Sequence, residues 1–349
     1  MASKLIRTGS HLLDKMRTAK IYHSSTDRPA AITSTTALLL GLLYTTIYIA
    51  PFYLSPTLRS TSLASRDSPT IIRARVRAVG LSCLTSTIIT LYVLFIPGQS
   101  STRHVLRILG LWPVSTIDCA KVVLSLCVLF AGPLYESILI DDGWREWNVQ
   151  SVKDTFWTTY PAYRNMLIAP WCEELVFRSL VISLYLLAHV SPTRIVFLTP
   201  LIFGAAHVHH LIDYVRTHTP AGHKGVLPPV GVLATGTLIS TIQLTYTSLF
   251  GFFAAFVFLR TGNVFASVVA HTFCNFMGLP RVWGKVGQGE WPVEGQSVNG
   301  GLGRDSGVSF GDAPMGWTVL YYVLLVGGAV GFYVLLWPLT ESGNALVSF

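Results

Sequence analysis

The feature that most constrains this chain is a succession of long apolar runs from residue 31 to residue 338. A helix needs about 20 mostly apolar residues to cross a bilayer. Segments at 31–54, 79–96, 114–140, 162–189, 194–215, 229–259, 263–280 and 315–338 meet or approach that length. In hydrocarbon every backbone polar group must be satisfied within the protein, so such runs are read as helices. The expected fold is all-α, a polytopic integral membrane protein with about eight transmembrane helices. The second and seventh segments are short, and the sixth is long enough to tilt. Pro133, Pro161, Pro170 and Pro200 fall in or beside these runs. Membrane helices tolerate proline where neighbours satisfy the freed backbone groups.

Composition agrees. Only 12% of the residues are charged, about half the share usual in soluble domains. The net charge of +8 raises the question of nucleic acid. The basic residues, such as Arg73, Arg75 and Arg77, instead flank apolar runs, where they meet lipid headgroups. Membrane lipid is the expected partner, and nucleic acid is not. Cys83, Cys119, Cys127, Cys172 and Cys274 lie in or beside apolar runs without regular spacing. They form neither a disulfide framework nor a metal knuckle.

The chain divides into a polar basic N-terminal tail (1–30), three helices (31–140), a core carrying the chemistry (162–280), a glycine-rich loop (281–314), and a last helix with a short tail (315–349). The tail lacks the apolar core of a cleaved signal peptide, so the helix starting near Ala31 is expected to act as an uncleaved anchor. The glycine-dense stretch from Val298 to Gly311 reads as a surface loop, since no phosphate-binding lysine and helix follow it. Lys and Arg counts on the two sides do not fix the orientation.

Charges inside a membrane segment are costly and usually face a partner or a cavity. The densest cluster is WCEELVFRS, Trp171 to Ser179. Glu174 and Arg178 stand four residues apart on one helical face, where they can pair. Glu173 points about 100° away and is left without that counter-ion, as suits a general base. In FGAAHVHH, His207 lies one turn after Phe203, and His209 and His210 approach the helix end. In HTFCN, His271 and Asn275 again stand four apart, so two donors on one face could stabilise an oxyanion. Each group could instead lock helices together. Jointly they supply a base, an imidazole and oxyanion donors, the set that water-mediated amide hydrolysis requires.

EELVFR, FGAAH and HTFCN resemble, in order and rough spacing, the EExxxR, FxxxH and HxxxN motifs of the type II CAAX proteases, glutamate-type intramembrane endopeptidases. Thr241 to Asn263 is similar to the eukaryotic branch of that family. The resemblance covers about residues 170–280. It implies eight helices enclosing an intramembrane catalytic cavity, reached from the cytosol, in the endoplasmic reticulum membrane. It implies removal of the last three residues from farnesylated or geranylgeranylated CAAX proteins of the small GTPase type, without cofactor or metal. By motif, Glu173 and His207 activate water and His271 and Asn275 form the oxyanion site. Glu174, Arg178 and Phe203 complete the motifs. Two alternatives stay open. One is a zinc protease using His207, His209, His210, His271 and the glutamates, although the HExxH spacing is absent. The other is a non-catalytic transporter or binder.

Overall fold

The computed structural model describes residues 29–59, 67–146, 148–207, 209–220, 222–223, 225, 227–287 and 314–349. Most of the N-terminal tail and of the glycine-rich loop lie outside these residues. So do the side chains of His207 and His209.

All eight apolar segments are helical, and the described residues contain no strand. Four helices are long and apolar enough to cross a membrane: α1 (Ser34–Leu54), α2 (Pro69–Phe95), α7 (Val230–Thr261) and α9 (Met315–Leu339). Between them lie α3 (Thr116–Leu129), α4 (160–187), α5 (Pro192–His207), α6 (His209–His218) and α8 (Val264–Met277). The chain is a multi-pass membrane protein. Leu39, Leu81, Leu238 and Val334 expose apolar side chains on the long helices. Such surfaces are stable against lipid rather than water.

Three expectations change. The second segment is not short, because α2 begins at Pro69 and carries Arg73, Arg75 and Arg77 in its first turns. Long basic side chains let a helix extend past the apolar layer while their heads stay polar. Arg75 donates to the Leu58 carbonyl at 2.8 Å and faces Asp213 at 3.7 Å. The run 114–140 is not one straight span, since α3 meets Ala131–Ile140 at 81°. Pro133 cannot donate to the Leu129 carbonyl and its ring crowds it, which breaks the helix there. The count of eight spans does not follow from helix length, because α8 has 14 residues and the fifth segment is divided between α5 and α6.

Helix α4 is the hub. It packs against α1, α2, α5, α7 and α8, and its stretch from Val176 to Tyr185 is wholly buried. Its hydroxyls also serve neighbouring backbone. Ser179 and Ser183 donate to the Leu109 and Ile108 carbonyls at 2.6 and 2.8 Å, at the end of the short helix Thr102–Ile108. Terminal helical carbonyls have no partner of their own. At Gly204, within the FGAAH motif, an added Cβ would lie 2.8 Å from Leu244 and 3.0 Å from Ser248. The glycine thus lets α5 lie close along α7.

Helices α7 and α8 are joined by Gly262 and Asn263 alone. Gly262 is left-handed (φ 56°) and its N–H closes α7 on the Phe258 carbonyl. The Asn263 side chain accepts from the Phe265 N–H to start α8 and donates to the Ser115 carbonyl at 2.9 Å. A Cβ at Gly262 would collide with the Asn344 carbonyl oxygen. Gly262→Ala is therefore expected to destabilise the protein by more than the ~1–2 kcal/mol of left-handed backbone alone. Thermal unfolding in detergent reads this out, and an unchanged melting temperature would contradict it.

Candidate active site

The site grows from an irregular stretch of α4. Two π turns, Arg164–Ile168 and Leu175–Leu180, flank Ala169–Glu174. Single π turns inside α-helices are frequent at functional sites. They place Glu173 and Glu174 between two widened turns, close to α8.

Glu174 and Arg178 form the pair that their spacing predicts. Arg178 Nε lies 3.2 Å from Glu174 Oε2, and both side chains are buried. The Arg178 guanidinium also sits 4.4 Å from the Phe203 ring centre and 5.5 Å from that of Phe250. Neither of its outer nitrogens has a hydrogen-bond partner among the described residues. Aromatic faces therefore supply much of the stabilisation that water would give an exposed guanidinium. Phe203 is fixed in turn by the edge of Phe177, at 5.1 Å.

The second oxygen of Glu174 accepts from His271 Nδ1 at 2.8 Å. The opposite ring nitrogen, Nε2, faces Glu173 Oε2 at 4.0 Å. The imidazole therefore stands between the two glutamates, and Phe250 packs on it at 4.8 Å. Sequence spacing left Glu173 without a partner because the group facing it comes from a helix about 100 residues later. Glu174 is fully buried, whereas the side chain of Glu173 stays 18% exposed. Of the two carboxylates, Glu173 is the one that solvent or a substrate can reach.

Asn275 lies at the rim. Its amide donates to the Asn165 carbonyl at 2.9 Å, which leaves one of its two N–H donors uncommitted. The backbone of His207 ends α5, on the helix that carries Phe203. His210 is half-buried at the start of α6. Phe250 was missed by sequence reading. It belongs to the run LFGFF, and nothing separates it from a lipid-facing phenylalanine until its neighbours are known.

In this multi-pass bundle two glutamates of α4 and the imidazole of α8 are brought together. The family model for type II CAAX prenyl endopeptidase Rce1-like proteins matches residues 155–277, the segment from just before α4 to the end of α8. A Schizosaccharomyces pombe protein described as a probable CAAX prenyl protease 2 is 29% identical over 306 residues, 88% of this chain and 94% of that protein. The Arabidopsis thaliana CAAX prenyl protease 2 is 34% identical over 51% of this chain and 44% of its own length. The Homo sapiens CAAX prenyl protease 2 is 31% identical over 62% of this chain and 64% of its own length. No solved structure matches. The chain is thus similar to the type II CAAX proteases, through the family model over residues 155–277 and through these relatives.

Removing Arg178 would strand a buried carboxylate, which typically costs about 3–5 kcal/mol. Arg178→Ala is expected to lower the melting temperature sharply, and Arg178→Lys to recover little, since an ammonium lacks the planar face that stacks between two rings. Wild-type melting of Arg178→Ala in detergent would refute a stabilising pair.

Proposed function

We propose that this protein is a metal-independent endopeptidase that removes the C-terminal aaX tripeptide from farnesylated or geranylgeranylated CAAX proteins, small GTPases among them. The relatives' names give the reaction class, and the gap between Glu173 and His271 carries the chemical reading. Its two atoms are 4.0 Å apart, too far to bond each other and close enough to share one reacting centre. A water held by Glu173 can lose its proton to that carboxylate as it attacks the scissile carbonyl. His207, on the neighbouring α5 by motif, is the second group assigned to that water.

The developing oxyanion falls to His271 and Asn275. Nδ1 of His271 already gives its proton to Glu174, so the ring donates through Nε2 when it carries a proton on each nitrogen. The free N–H of Asn275 is the second donor. A fixed donor of this type is worth roughly a hundred- to a thousandfold in turnover. Glu174 and Arg178 hold the ring and do not touch substrate.

The reading places the protein in the endoplasmic reticulum membrane with the site open to the cytosol, where prenylated tails are presented. Anchoring of the prenyl chain in the membrane leaves only the tripeptide to be positioned.

The test is tripeptide release from a farnesylated CAAX peptide by the purified protein, with and without chelator. Glu173→Gln keeps size and hydrogen bonding but is a far weaker base. It is expected to lose at least about a hundredfold in turnover with an unchanged melting temperature. Near-normal turnover would remove Glu173 from its role. Activity is expected to survive chelation, and loss restored by zinc would favour a metalloprotease.

A further inference from the structure

Helix α4 carries a proline three residues before Glu173, and the consequence falls on α8. Pro170 has no N–H, so the Met166 carbonyl loses the donor four residues ahead of it. The π turn Arg164–Ile168 sends the Ala169 N–H to the Arg164 carbonyl. The Asn165 carbonyl then has Pro170 as its next candidate donor, which supplies nothing. Pro170 thus supplies no N–H to either of these two adjacent carbonyls, on the side of α4 that meets α8.

Both are taken by α8. Thr272 Oγ1 donates to the Met166 carbonyl at 2.9 Å, and Asn275 Nδ2 donates to the Asn165 carbonyl at 2.9 Å. Both residues lie within about one helical turn after His271. The hydroxyl of Thr272 is next to His271 in sequence, and the carbonyl it grips lies in the π turn about two helical turns before Glu173. A shift of α8 along α4 would break both bonds and move His271 Nε2 relative to Glu173 at once.

We infer that Pro170 and Thr272 are positioning residues. The proline opens the α4 backbone, and the threonine locks α8 to it in the register that sets His271 against Glu173. Neither touches the reacting atoms. A freed carbonyl in an apolar surrounding binds the one hydroxyl it meets strongly, because leaving it unpaired is costly there. A carbonyl already engaged within a regular helix offers only its second lone pair, as Ala254 of α7 does to Ser267 at 3.3 Å.

This inference rests on the proposed hydrolysis for its kinetic readout, and the experiment separates the two. Tripeptide release and melting temperature are measured on wild type, Thr272→Val, Thr272→Ser, Pro170→Ala and Pro170→Ala/Thr272→Val. Valine keeps the shape of threonine without the hydroxyl, and serine keeps the hydroxyl. Thr272→Val is expected to lower kcat by about ten- to a hundredfold, the scale of a misplacement near 1 Å, with KM unchanged. Thr272→Ser is expected to restore kcat. Pro170→Ala returns an N–H to Met166 and competes with the threonine. It is expected to lower kcat while the melting temperature holds or rises, and adding Thr272→Val is expected to change little further.

A wild-type kcat in Thr272→Val and in Pro170→Ala would overturn the inference. A loss of kcat in Thr272→Val that serine does not restore would also overturn it. If wild-type protein fails to cleave the peptide, the functional reading fails instead. The melting temperatures then still decide the docking bond: Thr272→Val destabilises the proline-containing protein and not the Pro170→Ala protein if the bond exists, and both equally if it does not.

Discussion

One buried charge pair organises the catalytic half of the molecule. Glu174 and Arg178 are both withdrawn from solvent, and a pair in that position needs further contacts to offset the loss of water. Those contacts come from three other helices. Phe203 of α5 and Phe250 of α7 cover the guanidinium, and His271 of α8 takes the second carboxylate oxygen. The pair therefore fixes the relative placement of four helices with one set of contacts. Lipid gives helices little reason to associate through apolar faces alone, so close packing and interhelical polar contacts matter more here than in water.

The same arrangement divides labour between two adjacent glutamates. Glu174 spends both oxygens on structure, while Glu173, turned away by one residue of helical rotation, keeps part of its side chain exposed. The backbone contributes to this division. Pro170 supplies no N–H to the α4 backbone, and the Asn165 and Met166 carbonyls accept from α8. Irregular helix at membrane depth is tolerated because protein, not lipid, surrounds it.

Much of this was legible in the sequence, and the reasons are local. Hydropathy located all eight helical segments, since each run is apolar over a helix-length window. The spacing of Glu174 and Arg178 foretold their contact because both lie on one helix. The bend near Pro133 and the early start of α2 were not legible from run length, since a break preserves hydropathy and arginines at a helix end lower it. The pairing of His271 with Glu174, the cover of Phe250 and the Thr272–Met166 bond join distant segments. No periodicity within one helix encodes which face of another it will meet.

The central claim is that Glu174 holds the His271 ring by its Nδ1 proton and so aims Nε2 at Glu173. Nitrogen NMR of selectively labelled histidine in lipid-embedded protein addresses it directly, with Glu174→Gln and His271→Gln samples for assignment. The account predicts a His271 Nδ1 that carries a proton in a strong hydrogen bond to a carboxylate and whose signal shifts in Glu174→Gln. A His271 ring with its Nδ1 unprotonated, or one indifferent to Glu174→Gln, would contradict it.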